Sequence, residues 1–351
     1  MAKTAKDIGI GNLIRTIESR TDLIFGAVFS PDGKTLAGGG MDGTVRLWNV
    51  SNGVLLHTLY GHGSCVTDVV FRPDGQILVS IDYDKIMRIW RTSDYSLIRT
   101  VLGHTDWFMR VAFSPDNQIL IGECSGNTIQ LRKIPDNSAV HILEGHTGEV
   151  TCMVFSPDGQ TLASAGNDNT IRIWKTSDGS MLRVLEGPAE DINNLDFSPD
   201  SQMLAGASDD TTVRLWNVAD GSLIRVLQGH TDQVLYTIFS PNGETLASMS
   251  YDDSLRLWRV ADGSPIRVLK GQKDGVISAV FSPNSQILAS ANFDKAIRLW
   301  RTSDGSLICT LKNPTGNVNG LTFSPDSKIL ASTSDDEFIR LWDCSDILKR
   351  V

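Results

Sequence analysis

The sequence contains no apolar run approaching the ~20 residues that a membrane-spanning helix needs, and its opening, MAKTAKDIG, lacks the apolar core of a signal peptide. It is also short of positive charge: 32 basic residues against 41 acidic ones leave a net charge of −9, which argues against general affinity for nucleic acid. Its five cysteines (65, 124, 152, 309 and 344) form no CxxC and no even set, so free thiols in a reducing, cytoplasmic setting are expected, with no metal site. Aromatic residues are sparse at 7%. Their placement, however, is ordered.

Seven of the eight tryptophans, Trp48, Trp90, Trp174, Trp216, Trp258, Trp300 and Trp342, are separated by multiples of 42 residues, and the skipped position is Arg132 within a matching stretch, Thr128 to Lys133. A fixed period of this length means one supersecondary unit copied along the chain. A Phe-x-Pro-(Asp/Asn)-x turn recurs in the same phase, at Phe29, Phe71, Phe113, Phe155, Phe197, Phe239, Phe281 and Phe323. Proline presets φ for the first turn position, and glycine at 33, 75, 159 and 243 accepts the left-handed backbone that follows. Ser201, Ser285 and Ser327 take that place in other copies, with some strain expected. Short apolar runs flank each tip, such as Leu36 to Gly38 and Val45 to Trp48, too short and too punctuated for helices. Four strands in each of eight copies predict roughly 32 strands and an all-β protein of four-stranded meanders.

Gly61-His62, Gly103-His104, Gly145-His146 and Gly229-His230, together with Asp42, Asp84, Asp168, Asp210, Asp252, Asp294 and Asp336, stand at fixed distances before the tryptophan position. These signatures resemble the WD40 repeat family, over residues 7–342, and their freedom from insertions is similar to the regular arrays of bacteria, cyanobacteria among them. The resemblance implies an eight-bladed β-propeller of four-stranded antiparallel blades, forming a single domain over 1–351. It also implies a hydrogen-bonded tetrad of His, Asp, Ser/Thr and Trp, for which only the sixth repeat has all four members: His230, Asp252, Ser250 and Trp258. Repeats two and four keep His62, Asp84, Trp90 and His146, Asp168, Trp174, with Asp82 or Gly166 in place of the hydroxyl. A Ser/His/Asp set can also mean a hydrolase, but these residues recur by period and lack a nucleophile elbow, so they read as structural staples. The periodic arginines two before each tryptophan read the same way. The third repeat, with Cys124, Gly126 and Arg132, is expected to be the softest.

In every internal copy an outer strand follows the tryptophan by seven to eleven residues, and after Trp342 the chain stops at Val351. Leu13 to Ile17 stand in the missing phase, so the N-terminal strand is predicted to complete the last blade and remove an open edge. The ends, in phase from Asp7, point to a free-standing unit; the sensor end of a larger signalling protein is the alternative.

By family register, three positions per repeat, 25, 23 and 7 before the tryptophan, line the rim of the top face. The candidate partner-binding residues are the apolar Leu23, Phe25, Met41, Tyr83, Trp107, Met109, Leu235, Tyr251, Ile277 and Phe293, beside the acidic Glu149, Asp191 and Asp209. Trp107 is the one tryptophan off the 42-residue comb, so the fold does not demand it. Apolar rim residues can simply pack sideways on neighbouring blades; clustered and exposed, they are interface anchors. The expected function is a non-enzymatic, monomeric scaffold for a peptide or protein of mixed basic and apolar character, without cofactor. The competing class is an eight-bladed quinone-dependent dehydrogenase, disfavoured because this chain has no vicinal cysteines and no insertions to roof a cofactor.

Overall fold

The computed structural model describes residues 13–19, 23–102, 112–116, 119–125, 127–133, 139–188, 190–270, 275–312 and 315–348. They hold strands β1 to β32, numbered along the chain, and one short helix, α1 (Ser345–Leu348). No described helix is long and apolar enough to cross a membrane. The strands form eight four-stranded antiparallel sheets. Blade one is β2 (Ile24–Phe29), β3 (Thr35–Gly40), β4 (Val45–Asn49) and β5 (Leu55–Leu59), hydrogen-bonded in chain order, and the next six blades repeat that order.

Alternation along each strand explains how one 42-residue pattern makes a ring. In β24 (Ser254–Arg259) the side chains of Leu255 and Leu257 project from one face and that of Trp258 from the other. The two leucines join Val276, Phe281, Leu288 and Trp300 of blade seven, whereas Trp258 joins Ala205, Val213 and Leu215 of blade five. Both faces of each sheet are thus buried against neighbours. Among the described residues seven of the eight clusters draw buried members from two adjacent blades; the eighth has its buried members in blade two alone and takes the half-buried Phe113 of blade three as a neighbour. Burying one Leu or Trp fully is worth about 1.5–3 kcal/mol, so the seams hold most of the stabilisation.

The ring closes as the sequence predicts. β1 (Leu13–Glu18) pairs antiparallel with β32 (Phe338–Asp343), placing Ile17 opposite Ile339 and Leu13 opposite Trp342, and supplies the outer strand of blade eight beyond β30 (Val318–Phe323) and β31 (Ile329–Ser334). The last seam brings Ile17, Ala331, Ile339 and Leu341 onto Ile24, Phe29, Leu36 and Trp48 of blade one. First strands of neighbouring blades, such as β2 and β6 (Val66–Phe71), touch, which sets them nearest the axis.

Turns between first and second strands lie on the bottom face. In blades one, four, five, six, seven and eight a serine hydroxyl closes the turn, as where Ser240 Oγ accepts the Thr245 N–H (3.0 Å) and Ser282 Oγ that of Ile287 (3.0 Å); blade two has Arg72 in that place. The serines expected in strained turns do have left-handed backbones, with φ of 62° at Ser201 and 63° at Ser285 and Ser327. Each hydroxyl also accepts an N–H from the preceding blade: Asp158 for Ser201 (3.1 Å), Asn242 for Ser285 (2.9 Å) and Asn284 for Ser327 (3.1 Å). The strain is coupled to an inter-blade bond.

Candidate functional site

The opposite face carries the loops between second and third strands and the crossovers between blades. There the residue 7 before the tryptophan donates its N–H to the carbonyl of the residue 25 before it. The pairs are Met41 to Leu23 (3.0 Å), Tyr83 to Cys65 (2.8 Å), Asn167 to Glu149 (2.8 Å), Asp209 to Asp191 (3.0 Å), Tyr251 to Gln233 (3.0 Å), Phe293 to Gly275 (3.3 Å) and Asp335 to Asn317 (3.0 Å). One backbone bond therefore fixes two rim loops together in each of the seven blades whose rim is described; Trp107 and Met109 of the third blade lie outside the described residues. A rim locked by main-chain bonds on a rigid ring presents its side chains in fixed positions.

Phe25, Met41, Tyr83, Tyr251 and Phe293 are exposed by 36 to 64%, well above the sideways-packed alternative. Leu23, Leu235 and Ile277 are half-buried against the rim. Glu149 and Asp191 are exposed, and Asp209 is half-buried with its carboxylate accepting from Asn193 Nδ2 (2.6 Å). Blade eight repeats that arrangement, Asn319 Nδ2 donating to Asp335 (2.8 Å). Because blade eight adjoins blade one, this polar pair divides the apolar arc into two patches, one on blades one and two and one on blades six and seven.

Beneath the rim the tetrad differs from the expectation. In blade six Trp258 Nε1–H donates to Ser248 Oγ (2.8 Å), the Ser248 hydroxyl meets His230 Nε2 (2.7 Å), and His230 Nδ1–H meets Asp252 (2.9 Å). Ser250 is not a member; its hydroxyl donates to the Asp232 carbonyl (2.9 Å). Both serines lie on the same face of β23 (Thr245–Ser250), but Leu246 stands opposite Trp258, so the indole reaches Ser248 diagonally and falls short of Ser250. The corrected position gives two further complete networks. Blade four has Asp168, His146, Ser164 and Trp174 (3.0, 2.8 and 2.8 Å). Blade two has Asp82, His62, Ser80 and Trp90 (2.7, 2.6 and 2.9 Å), with Asp82 and not the exposed Asp84 as its carboxylate.

Burial holds all three imidazoles below their usual pKa, outweighing the neighbouring carboxylates. Burial would raise Asp252, yet bonds from Ser254, His230 and Thr231 keep it below the usual range. The serine hydroxyls are at most 1% exposed and already serve both imidazole and indole, so they cannot meet a substrate.

Blades lacking the histidine use arginine. Where His146 or His230 holds the aspartate, Arg172 and Arg256 stand 3.5 and 3.8 Å from it. In blades one, five and eight, Arg46, Arg214 and Arg340 close to 2.7 Å on Asp42, Asp210 and Asp336. The periodic arginines are thus structural, as expected.

Two seam features escaped sequence reasoning. The central residue of an outer strand reaches the next blade's turn, as Arg225 does to the Asp262 and Ala261 carbonyls (2.8 and 2.9 Å) and Arg15 of β1 to that of Ser51 (3.3 Å). Between β18 (Ile192–Phe197) and β22 (Val234–Phe239), Asn194 and Asp196 accept the Thr237 and Phe239 N–H groups (3.0 and 2.7 Å). Burial pushes Asp196 up to about 7 against those bonds. A lone acid at a register otherwise filled mostly by Val, Ile or Ala was the available signal.

The profile described as "WD40: WD domain, G-beta repeat" matches eight times, over residues 11–49, 53–91, 95–132, 137–175, 179–217, 221–259, 263–301 and 305–343. Among solved structures, the crystal structure of the computationally designed Ika8 protein is similar, with a TM-score of 0.82 and 25% identity, over 95% of this chain and 100% of that one. Curated proteins give no match.

Proposed function

Since the chain belongs to the WD40 family, a family of protein-interaction scaffolds that are generally non-enzymatic, we propose that it binds a peptide or protein partner across the rim face. The observation that carries this reading is the set of exposed Phe25, Met41, Tyr83, Tyr251 and Phe293 on loops fixed by main-chain bonds. Aromatic and Met side chains held rigid and solvent-exposed lose little entropy on binding and suit hot-spot contacts. The division of the arc adds a requirement: a partner needs two apolar anchors, one per patch, spanning the polar Asn319–Asp335 pair. Glu149, Asp191 and Asp209 on blades four and five favour Lys or Arg in a segment reaching that side. The same reading takes the chain as one cytoplasmic domain acting as a monomer.

Affinity capture from a native lysate, followed by surface plasmon resonance on rim variants, tests this. Tyr83→Ala and Phe293→Ala, one per patch, should each weaken the complex by about 2 kcal/mol if both are anchors. Asp209→Asn should mainly slow association and flatten its salt dependence. Lys34→Ala, on the opposite face, is the control; a loss confined to that variant would move the site to the bottom face.

A further inference from the structure

The third residue of the first strand is Asp68, Cys152, Asn194, Tyr236 or Ser278 in blades two and four to seven, and glycine, Gly26 or Gly320, in blades one and eight. At Gly320 the space is taken: an added Cβ would meet Thr333 Oγ1 at 3.1 Å and the Phe25 carbonyl at 3.3 Å. At Gly26 an added Cβ would meet nothing within 4 Å. The β2–β3 ladder is irregular at the same place. Its register passes from Ile24–Gly40 to Ala27–Gly38 with no step at Gly26, whereas β6 and β7 (Ile77–Asp82) pass from Val66–Asp82 to Asp68–Ile81.

The space left at Gly26 is a cavity of about 230 Å³ at the seam of blades one and two. Ala27, Val28, Val66 and Val69 wall it with hydrocarbon. The two polar side chains that reach it are engaged within the protein: the Thr67 hydroxyl donates to the Ile81 carbonyl (3.3 Å), and Asp68 Oδ1 accepts the Val69 N–H (2.9 Å). Gly26, Ala27, Val28 and Thr67 are only half-buried, on strands next to the axis, so a guest reaches the cavity from there without crossing a seam core. An aliphatic cavity of ~150 Å³ takes up benzene, so this one has room for a benzene ring with a short alkyl group. A charged guest would lose hydration against the valine walls, which favours an uncharged one.

We propose that this cavity is a binding site for a small uncharged hydrocarbon ligand of alkylbenzene size, held against Val28, Val66 and Val69 in the room that Gly26 leaves. The site stands independently of the partner reading above, and the charge of Asp68 plays no part in it.

The test titrates toluene into the full chain while following valine methyl resonances. The expected result is a saturable shift of Val28, Val66 and Val69. Gly26→Leu, which fills the space, should abolish that shift. Gly26→Ala adds a single methyl where nothing lies within 4 Å and should weaken binding while keeping the fold, so it decides the matter if thermal melts show the leucine variant unfolded. Benzylammonium and benzoate carry the same ring with a charge and should bind about tenfold more weakly than toluene, or worse. No saturable response of the three valines, a response that the folded Gly26 variants leave unchanged, or binding of either charged analogue as tight as that of toluene would overturn the proposal.

Discussion

Replacing Ser285 separates two effects that coincide at the bottom-face turns. Its backbone is left-handed, at φ 63°, which costs a non-glycine residue about 1 kcal/mol, and its hydroxyl accepts the Asn242 N–H of blade six at 2.9 Å, worth about 1 kcal/mol. Ser285→Ala removes the bond and keeps the strain, so it should lose about 1–2 kcal/mol. Ser285→Gly removes both, and the two changes should nearly cancel. The reverse experiment uses Gly243, at φ 74°, where an added Cβ would sit in ordinary contact, 3.5 Å from Pro199. Gly243→Ala introduces strain alone and should lose about 1 kcal/mol; Gly243→Ser adds the chance of a bond to the preceding turn and should recover most of that. Urea denaturation of the four variants, compared at unchanged m, measures these differences. Equal losses for Ser285→Ala and Ser285→Gly, or no advantage of Gly243→Ser over Gly243→Ala, would show that the hydroxyl does not offset the backbone.

Deleting residues 1–18 removes β1, exposes the edge of β32 and uncovers the seam around Ile17; melting should fall by several degrees with more aggregation, and an unchanged melt would refute closure as a source of stability. His62→Ala, His146→Ala and His230→Ala should each cost about 1–3 kcal/mol in denaturant melts, because each strands a buried serine and aspartate, and a markedly smaller loss for any one would show its network to be incomplete in solution. Since these imidazoles sit below the ordinary value of 6.5 when folded, their contribution is full above that pH and is lost as pH falls below it, by at most about 1.4 kcal/mol per pH unit for each; a flat stability profile through pH 6.5–5 would contradict their burial. Asp196 has the opposite sign: raised from 3.8 to about 7, its contribution is present below 3.8 and lost as pH rises toward 7, so Asp196→Asn should gain about 1–2 kcal/mol at pH 8 and nothing at pH 4.

The tryptophan comb made blade number and closure legible because each Trp, with Leu or Ile on the opposite face of its strand, must fill two seams, and the surrounding pattern keeps its phase even where Arg132 replaces the tryptophan. Ser248 was not separable from Ser250 because residues two apart in a strand share a face, and only cross-strand register decides which one the indole reaches. The same missing register concealed Asp82 as the partner of His62. On the rim, the family register assigned amides and an acid, Asn317, Asn319 and Asp335, to blade eight, and ring closure sets them between the apolar residues of blades seven and one.

Blade eight draws its outer strand from one end of the chain and its other three from the far end. During synthesis β1 must therefore wait, unpaired, until β32 emerges, long after the strands of blade one can have joined. An apolar, partner-seeking segment stays available throughout that interval, to another nascent chain or a chaperone as readily as to its own sheet. Refolding yield should thus depend on protein concentration more steeply than for an open array of the same repeats, and a circular permutant that opens the ring between blades, keeping all four strands of blade eight contiguous, should shorten the wait.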